Sequence, residues 1–358
     1  MTAVQGARHG ESPTLLVATP LEPELVERIR REAPGVEVLF DPALLPAPRY
    51  PSDHRGDPTF RRTSAQQERL EELVRRADVV LGVPGETAAG LRDLVAGAPR
   101  LRWVQGTAAG AGQMVREAAL DPDTLQRVTF TSSIGVHATQ LAEWAVLGLL
   151  YFVKDVPRLL RDAETRSWPH YPVRELSGQR LVVVGLGHIG REVARCARAL
   201  GMHVTGVRRR SSESDLSYVD EVAVLSDLPD VLARCEAVML ALPSTTATDG
   251  LFGAELLAAM PEGGVLVNVG RGTTVDEPAL VAALRSGHLS GAALDVVATE
   301  PLPPDSPLWD LDNVLLSPHT AALSTQENER IVDVLLDNLH RLADGRPLRN
   351  VVDTQHFY

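Results

Sequence analysis

Residues 180–190, RLVVVGLGHIG, constrain the fold of this chain more than any other stretch. Four apolar residues, Leu181 to Val184, run into Gly185-Leu186-Gly187-His188-Ile189-Gly190. A helix-like segment over 191–200 follows at once. A strand that feeds a helix through a glycine turn belongs to a parallel sheet with crossover helices. The glycines let the backbone turn tightly and approach a phosphate. The helix N-terminus adds N–H donors and a partial positive charge. Gly185, Gly187, His188, Ile189 and Gly190 therefore read as a cradle for the pyrophosphate of a dinucleotide. An ordinary tight turn, or a methyltransferase holding a nucleoside, would use similar glycines.

The surrounding sequence supports an α/β class. Upstream, strands are expected over 15–18, 36–40, 78–83, 101–105 and 128–131, with helices over 22–33, 65–77 and 87–96. Residues 41–63 are rich in proline and charge, show no period, and read as a long surface loop. An apolar helix is expected over 140–152, with few charges, so that it is buried in a core or between subunits. Downstream, strands are expected over 203–207, 237–242, 264–269, 291–296 (containing Asp295) and 314–316. Helices are expected over 228–233, 277–286 and 325–343. Short apolar runs alternating with helices give two α/β units in series, each a doubly wound parallel sheet.

Composition narrows the function. The 358 residues are enough for two domains with sizeable cores. No apolar run approaches the ~18 residues that span a membrane, and residues 1–13 lack the apolar core of a signal peptide. A net charge of -12 argues against nucleic acid as the main partner. Cys196 and Cys235 form no C-x-x-C motif, which fits a reducing cytoplasm and no thiolate metal site. No histidine cluster suggests a metal. Lys154 is the only lysine and ends an apolar helical pattern, so Schiff-base chemistry is set aside.

Against that acidic background, Arg208-Arg209-Arg210 follow the strand after the glycine turn, about 18 residues beyond Gly190. Some 20 residues beyond such a turn, an acid would bind the ribose hydroxyls of NAD, whereas arginine accommodates the 2′-phosphate of NADP. The expected cofactor is therefore NADPH, with NADH the lesser candidate; a solvated charge run is the alternative for these arginines. The loop Gly106-Thr107-Ala108-Ala109-Gly110 offers consecutive N–H groups with little side-chain bulk, which suits a small carboxylate.

Three polar residues follow strand ends: Arg271, Glu300 and His319. An arginine can bind a carboxylate through two parallel hydrogen bonds. A histidine can give or take a proton near neutral pH. A glutamate beside it holds the ring and stabilises its charged form. Singly, each could be a turn, loop or cap residue. Together, after a dinucleotide turn, they make a site for hydride transfer to a 2-keto acid.

These residues resemble the D-isomer-specific 2-hydroxyacid dehydrogenase family. The resemblance lies in Val183 through Gly190, Asn268-Val269-Gly270-Arg271-Gly272, Ala293-Leu294-Asp295-Val296 through Glu300-Pro301-Leu302, and Ser317-Pro318-His319-Thr320-Ala321. It implies a Rossmann dinucleotide-binding domain, residues 135–321, inserted into a flavodoxin-like substrate domain, residues 1–134 and 322–358. It implies that Arg271 binds the substrate, that His319 is the proton donor and that Glu300 orients it. Asp295 would hold the nicotinamide amide. Leu242, Pro243, Val269, Gly270, Arg271, His319 and Ala321 would line the cofactor. Ala108, Ala109 and Gly110 would bind the substrate carboxylate. The helix from Gln140 would pack in a homodimer, and Trp168 of the partner subunit would reach the active site. Many family members carry an acid where Arg208 stands, and here that acid is missing. The loop 103–110 is more similar to the glyoxylate/hydroxypyruvate and broader keto-acid reductase branches than to the phosphoglycerate or formate branches. A competing expectation is a relative of the same fold that senses nicotinamide as a corepressor, with little turnover.

Overall fold

The computed structural model describes residues 12–209 and 216–357. The chain divides into two compact units, Met1–Val136 with Leu323–Tyr358, and His137–Ala322.

The first unit holds β1 (Thr14–Val17), α1 (Pro23–Glu32), β2 (Glu37–Leu39), α2 (Ser64–Arg76), β3 (Val79–Leu81), α3 (Ala88–Gly97), β4 (Trp103–Gln105), α4 (Ala111–Ala118), α5 (Pro122–Arg127) and β5 (Thr129–Thr131). Its strands run parallel in the order β2-β1-β3-β4-β5, the flavodoxin-like order of a doubly wound sheet. The second unit holds α6 (Ala138–Val153), α7 (Val156–Glu164), β6 (Arg180–Val184), α8 (His188–Ala199), β7 (His203–Arg208), β8 (Glu221–Val224), α9 (Leu228–Leu232), β9 (Ala237–Leu240), α10 (Ala254–Ala259), β10 (Gly264–Asn268), α11 (Glu277–Arg285), β11 (Leu289–Leu294) and β12 (Val314–Leu316). Its order is β12-β11-β10-β9-β6-β7-β8. The strand carrying the glycine turn is interior, and the order reverses between it and β9, as in a dinucleotide-binding sheet. The chain then returns to the first unit through α12 (Glu327–Ala343).

Strand registers follow from burial on both faces. In β1, Leu15 and Val17 face one core with Ile29, Ile331, Leu335 and Leu339, while Leu16 faces the other with Leu73, Val80 and Leu91. In β6, Val182 and Val184 join one core and Leu181 and Val183 the other. A slip of one residue would exchange the two faces. Each fully buried Val or Leu contributes roughly 1.5–3 kcal/mol. Both sheets are therefore three-layer sandwiches with near-continuous apolar strands.

Several expectations are corrected. The sequence reading passed over α4, α5, α7, α10 and β8. The helix after the glycine turn begins at His188, not at Arg191. Asp295 lies one residue past the end of β11 rather than inside a strand.

Candidate active site

The glycine turn fits the group it is expected to hold. Gly185 has φ 101°, and a Cβ there would lie 2.6 Å from the carbonyl oxygen of Ala241, just beyond β9. A Cβ on Gly190 would lie 1.9 Å from the Gly185 oxygen, so glycine lets the first turn of α8 close onto the loop. Gly187 is the N-cap of α8 and faces open space where its Cβ would be. A phosphate can therefore approach the backbone there. His188 and Ile189, which open the helix, offer first-turn N–H groups that lack intrahelical partners. Partial burial, with the nearby Arg191 guanidinium, holds the His188 imidazole below the usual histidine range.

The flanking strands complete this edge. Leu242 follows β9 and packs against the Gly185 turn, and a Cβ on Gly270 would lie 2.8 Å from the Leu242 backbone. Val269 N–H donates to Leu240 O at 3.1 Å, which carries β10 to the same level. Pro243, next along, is exposed. Val207 of β7 pairs with Val184, so Arg208 emerges beside the glycine turn. Arg208 is half-buried and Arg209 exposed; Arg210 lies outside the described residues.

His319 and Glu300 meet. His319 Nδ1 lies 2.8 Å from Glu300 Oε2. A carboxylate oxygen accepts, so Nδ1–H donates and Nε2 is left as the outward nitrogen. His319 has φ 54°, a left-handed conformation that costs a non-glycine residue on the order of 1 kcal/mol. Asp295 holds it there. Its carboxylate is 2% exposed, and Oδ1 accepts from Ser317 Oγ at 2.7 Å, Thr320 N at 3.0 Å and Ala321 N at 3.0 Å. The His319 N–H donates to the Asp295 carbonyl oxygen at 2.9 Å. Arg271 follows β10 on a turn braced by buried Asn268, whose Oδ1 accepts from Gly270 N–H and whose Nδ2 donates to Arg271 O, both at 3.0 Å. The exposed Arg271 side chain donates from Nη1 to Gly270 O at 2.7 Å.

The sequence reading assigned no part to Ser317, Thr320 or Asn268. All three stand in the quoted motifs beside the residues they brace, and that adjacency was the available signal.

In the first unit, Ala108, Ala109 and Gly110 are exposed and lead into α4, with Gly110 as its N-cap. The helix start adds partial positive charge to the loop. A buried network fixes the loop's root. Trp103 Nε1–H donates to Thr131 Oγ1 at 2.7 Å, Thr131 Oγ1–H donates to Gln105 Oε1 at 2.9 Å, and Ser133 Oγ–H donates to Gly106 O at 2.8 Å. Trp168 of the second unit is 90% exposed, with Leu147, Leu159, Leu160 and Val173 also exposed. Among the described residues, no acid, cysteine and histidine groups cluster as a metal site. No helix there is long and apolar enough to cross a membrane.

A Rossmann sheet with this glycine turn, and a histidine–glutamate pair at the carboxyl ends of its strands, define a dinucleotide-binding oxidoreductase fold. Known proteins narrow the class. The model of the "D-isomer specific 2-hydroxyacid dehydrogenase, NAD binding domain" matches residues 146–321. The chain is 34% identical over 268 residues to a glyoxylate reductase of Korarchaeum cryptofilum, covering 72% of this chain and 78% of that protein. It is 28% identical to a D-3-phosphoglycerate dehydrogenase of Archaeoglobus fulgidus, over 95% of this chain, but spans only 59% of that longer protein. A D-isomer specific 2-hydroxyacid dehydrogenase from Xanthobacter autotrophicus, solved with NADPH and MES, superposes with a TM-score of 0.73. That match has 30% identity and covers 97% of this chain and all of the other. The chain belongs to the D-isomer-specific 2-hydroxyacid dehydrogenase family.

Proposed function

We propose that the protein reduces a 2-keto acid to a D-2-hydroxy acid with NADPH, in the cytoplasm and as a homodimer. The observation that carries this reading is the His319–Glu300 pair, 2.8 Å apart at the carboxyl edge of a dinucleotide-binding sheet. Bound NADPH supplies the hydride for the keto carbon. His319, oriented by Glu300, gives a proton to the keto oxygen from Nε2, and Arg271 binds the substrate carboxylate as the oxygen becomes an alcohol. The loop Ala108-Ala109-Gly110 is the proposed source of backbone donors for that carboxylate. Gly185, Gly187, His188, Ile189 and Gly190 hold the pyrophosphate, and Leu242, Pro243, Val269, Gly270 and Ala321 line the rest of the cofactor. Asp295 Oδ1 is occupied by three donors, so Oδ2 is its atom for the nicotinamide amide.

NADPH is favoured over NADH because Arg208, which ends β7 beside the glycine turn, and Arg209 stand where an NAD site would carry an acid. The NADPH in the Xanthobacter structure fits this choice.

The test is a spectrophotometric assay with glyoxylate, hydroxypyruvate, pyruvate and branched or aromatic 2-keto acids, each with NADPH and NADH. Turnover with NADPH is expected. His319→Gln should lower kcat by about 10²–10⁴-fold with NADPH still bound. Arg208→Ala should cut the preference for NADPH over NADH at least about tenfold, through the lost phosphate contact. Full activity in His319→Gln would end the mechanism. Tight NADPH binding without turnover would favour the corepressor-like reading.

A further inference from the structure

A chain of polar side chains runs through the core of the first unit, from its C-terminal segment to the loop after β4. Trp103, Gln105, Thr131, Ser133 and Asn338 are all buried, at 1% exposure or less. Burying amides and hydroxyls is costly unless they are paired. Here they pair with one another, and only one arrangement of hydrogens fits. Trp103 Nε1 can only donate, so Thr131 Oγ1 accepts its hydrogen at 2.7 Å and passes its own to Gln105 Oε1 at 2.9 Å. The Gly106 carbonyl can only accept, so it faces Gln105 Nε2, at 3.2 Å. Ser133 Oγ accepts from the same Nε2 at 3.4 Å and donates to Gly106 O at 2.8 Å. On the far side, Arg349 N–H donates to Asn338 Oδ1 at 2.7 Å. Asn338 Nδ2, on α12, is thereby turned toward Gln105 Oε1 and Arg349 O, both at 3.3 Å. Neither amide can flip without setting like against like.

The C-terminal segment also fixes the backbone on either side of Ser133. Ser132 N–H donates to Asn350 O, and Asn350 Nδ2 donates to Ile134 O, both at 2.9 Å. Ser133 holds the loop at two points. Its hydroxyl takes Gly106 O, and its N–H donates to Ala108 O at 3.2 Å. These peptides are trans, and in a trans peptide the C=O and the next N–H point in opposite directions. Drawing the Ala108 carbonyl toward Ser133 therefore turns the Ala109 N–H away from the buried network, at an exposed residue. Drawing the Gly106 carbonyl the same way fixes the peptide plane that leads into this stretch.

We propose that Ser133 is a positioning residue for binding of the substrate carboxylate, setting the peptide planes of residues 106–109 while Gln105 and Asn338 hold it in register from α12. The proposal rests on the reading that Ala108 to Gly110 bind the carboxylate of a 2-keto acid. Ser133 acts through the Ala109 N–H rather than by touching substrate. A fully paired buried network suits this task, because its members polarise one another and leave no second arrangement of the loop's root.

The experiment measures KM and kcat for glyoxylate, hydroxypyruvate and pyruvate, and the Kd of NADPH. It compares wild type, Ser133→Ala, Asn338→Leu and the double variant, each first shown to be folded by its melting transition. Ser133→Ala keeps the N–H bond to Ala108 O and loses the hydroxyl. It should raise KM about tenfold on every substrate the wild type reduces, since all carry the carboxylate, with kcat and NADPH Kd changed less than about threefold. Asn338→Leu removes no bond to the loop itself and should raise KM about threefold. The double variant should fall short of the product of the two effects, because both pass through Gln105. KM unaltered in folded Ser133→Ala overturns the proposal. So does an equal loss in kcat, substrate affinity and NADPH affinity, which would make Ser133 a brace of the fold alone. Effects that simply multiply in the double variant overturn the route from α12. Wild-type protein that binds NADPH yet reduces none of the three would overturn the underlying reductase reading and the proposal with it.

Discussion

His188 shows how one side chain couples the cofactor turn to pH. It opens α8 beside Arg191, and its imidazole titrates below the usual histidine range. In the free protein it is therefore neutral near pH 7. The pyrophosphate of a bound cofactor brings negative charge to the same turn and favours the protonated ring. The complex then binds more protons than the free protein between the two pKa values. NADPH affinity should accordingly rise as pH falls through the histidine range. Fluorescence titrations from about pH 8 to about pH 6 should show this slope in wild type and a flatter one in His188→Asn. The 2′-phosphate titrates alike in both proteins, so equal slopes would remove His188 from the linkage.

At the scale of elements, the turn from Ser317 to Ala321 depends on one carboxylate. Asp295→Ala removes the acceptor of three hydrogen bonds and frees His319 from its left-handed conformation. The expected loss in kcat is about 10²-fold, the cost of roughly 1 Å of misplacement, with a smaller loss in Asp295→Asn. Unaltered kcat in Asp295→Ala would show that the turn holds itself. Elements were legible where burial is two-sided. The central strands read clearly because every residue from Leu181 to Val184 is buried. β8 did not, being an edge strand with a single buried residue. α7 was missed although Val156, Leu159, Leu160 and Ala163 recur at helical spacing; it is short, and none of its residues is buried. α4 and α5 are short and broken by the Asp121-Pro122 step. The same rule governed the sites. Arg271, Glu300 and His319 stand at strand ends in order, whereas Asn268, Ser317 and Thr320, which brace the same turns, carry no signal beyond adjacency.

For the whole molecule, adjoining elements of the second unit expose Leu147 on α6, Leu159 and Leu160 on α7, and Trp168 and Val173 beyond it. We propose that this apolar surface on consecutive elements is an association site, with a second copy of the chain as its occupant. Sedimentation velocity should give a dimer for wild type. Leu159→Glu with Leu160→Glu should shift it toward monomer with its melting temperature otherwise little changed; a monomeric wild type would refute the homodimer.

The return of the chain through α12 sets an order in time. Ile331, Val332, Leu335, Leu336 and Leu339 complete a core whose other half is Leu15, Val17, Val26 and Ile29. Val352 N–H, near the far end of the sequence, donates to Phe130 O in β5. During synthesis the first strands wait, with one face of their sheet only part-covered by α1, until the middle unit has been made and α12 has followed it off the ribosome. The inserted unit has all its strands in hand before that moment. What is translated first is finished last, and for that interval β1 to β5 are the part of the nascent chain most in need of a chaperone.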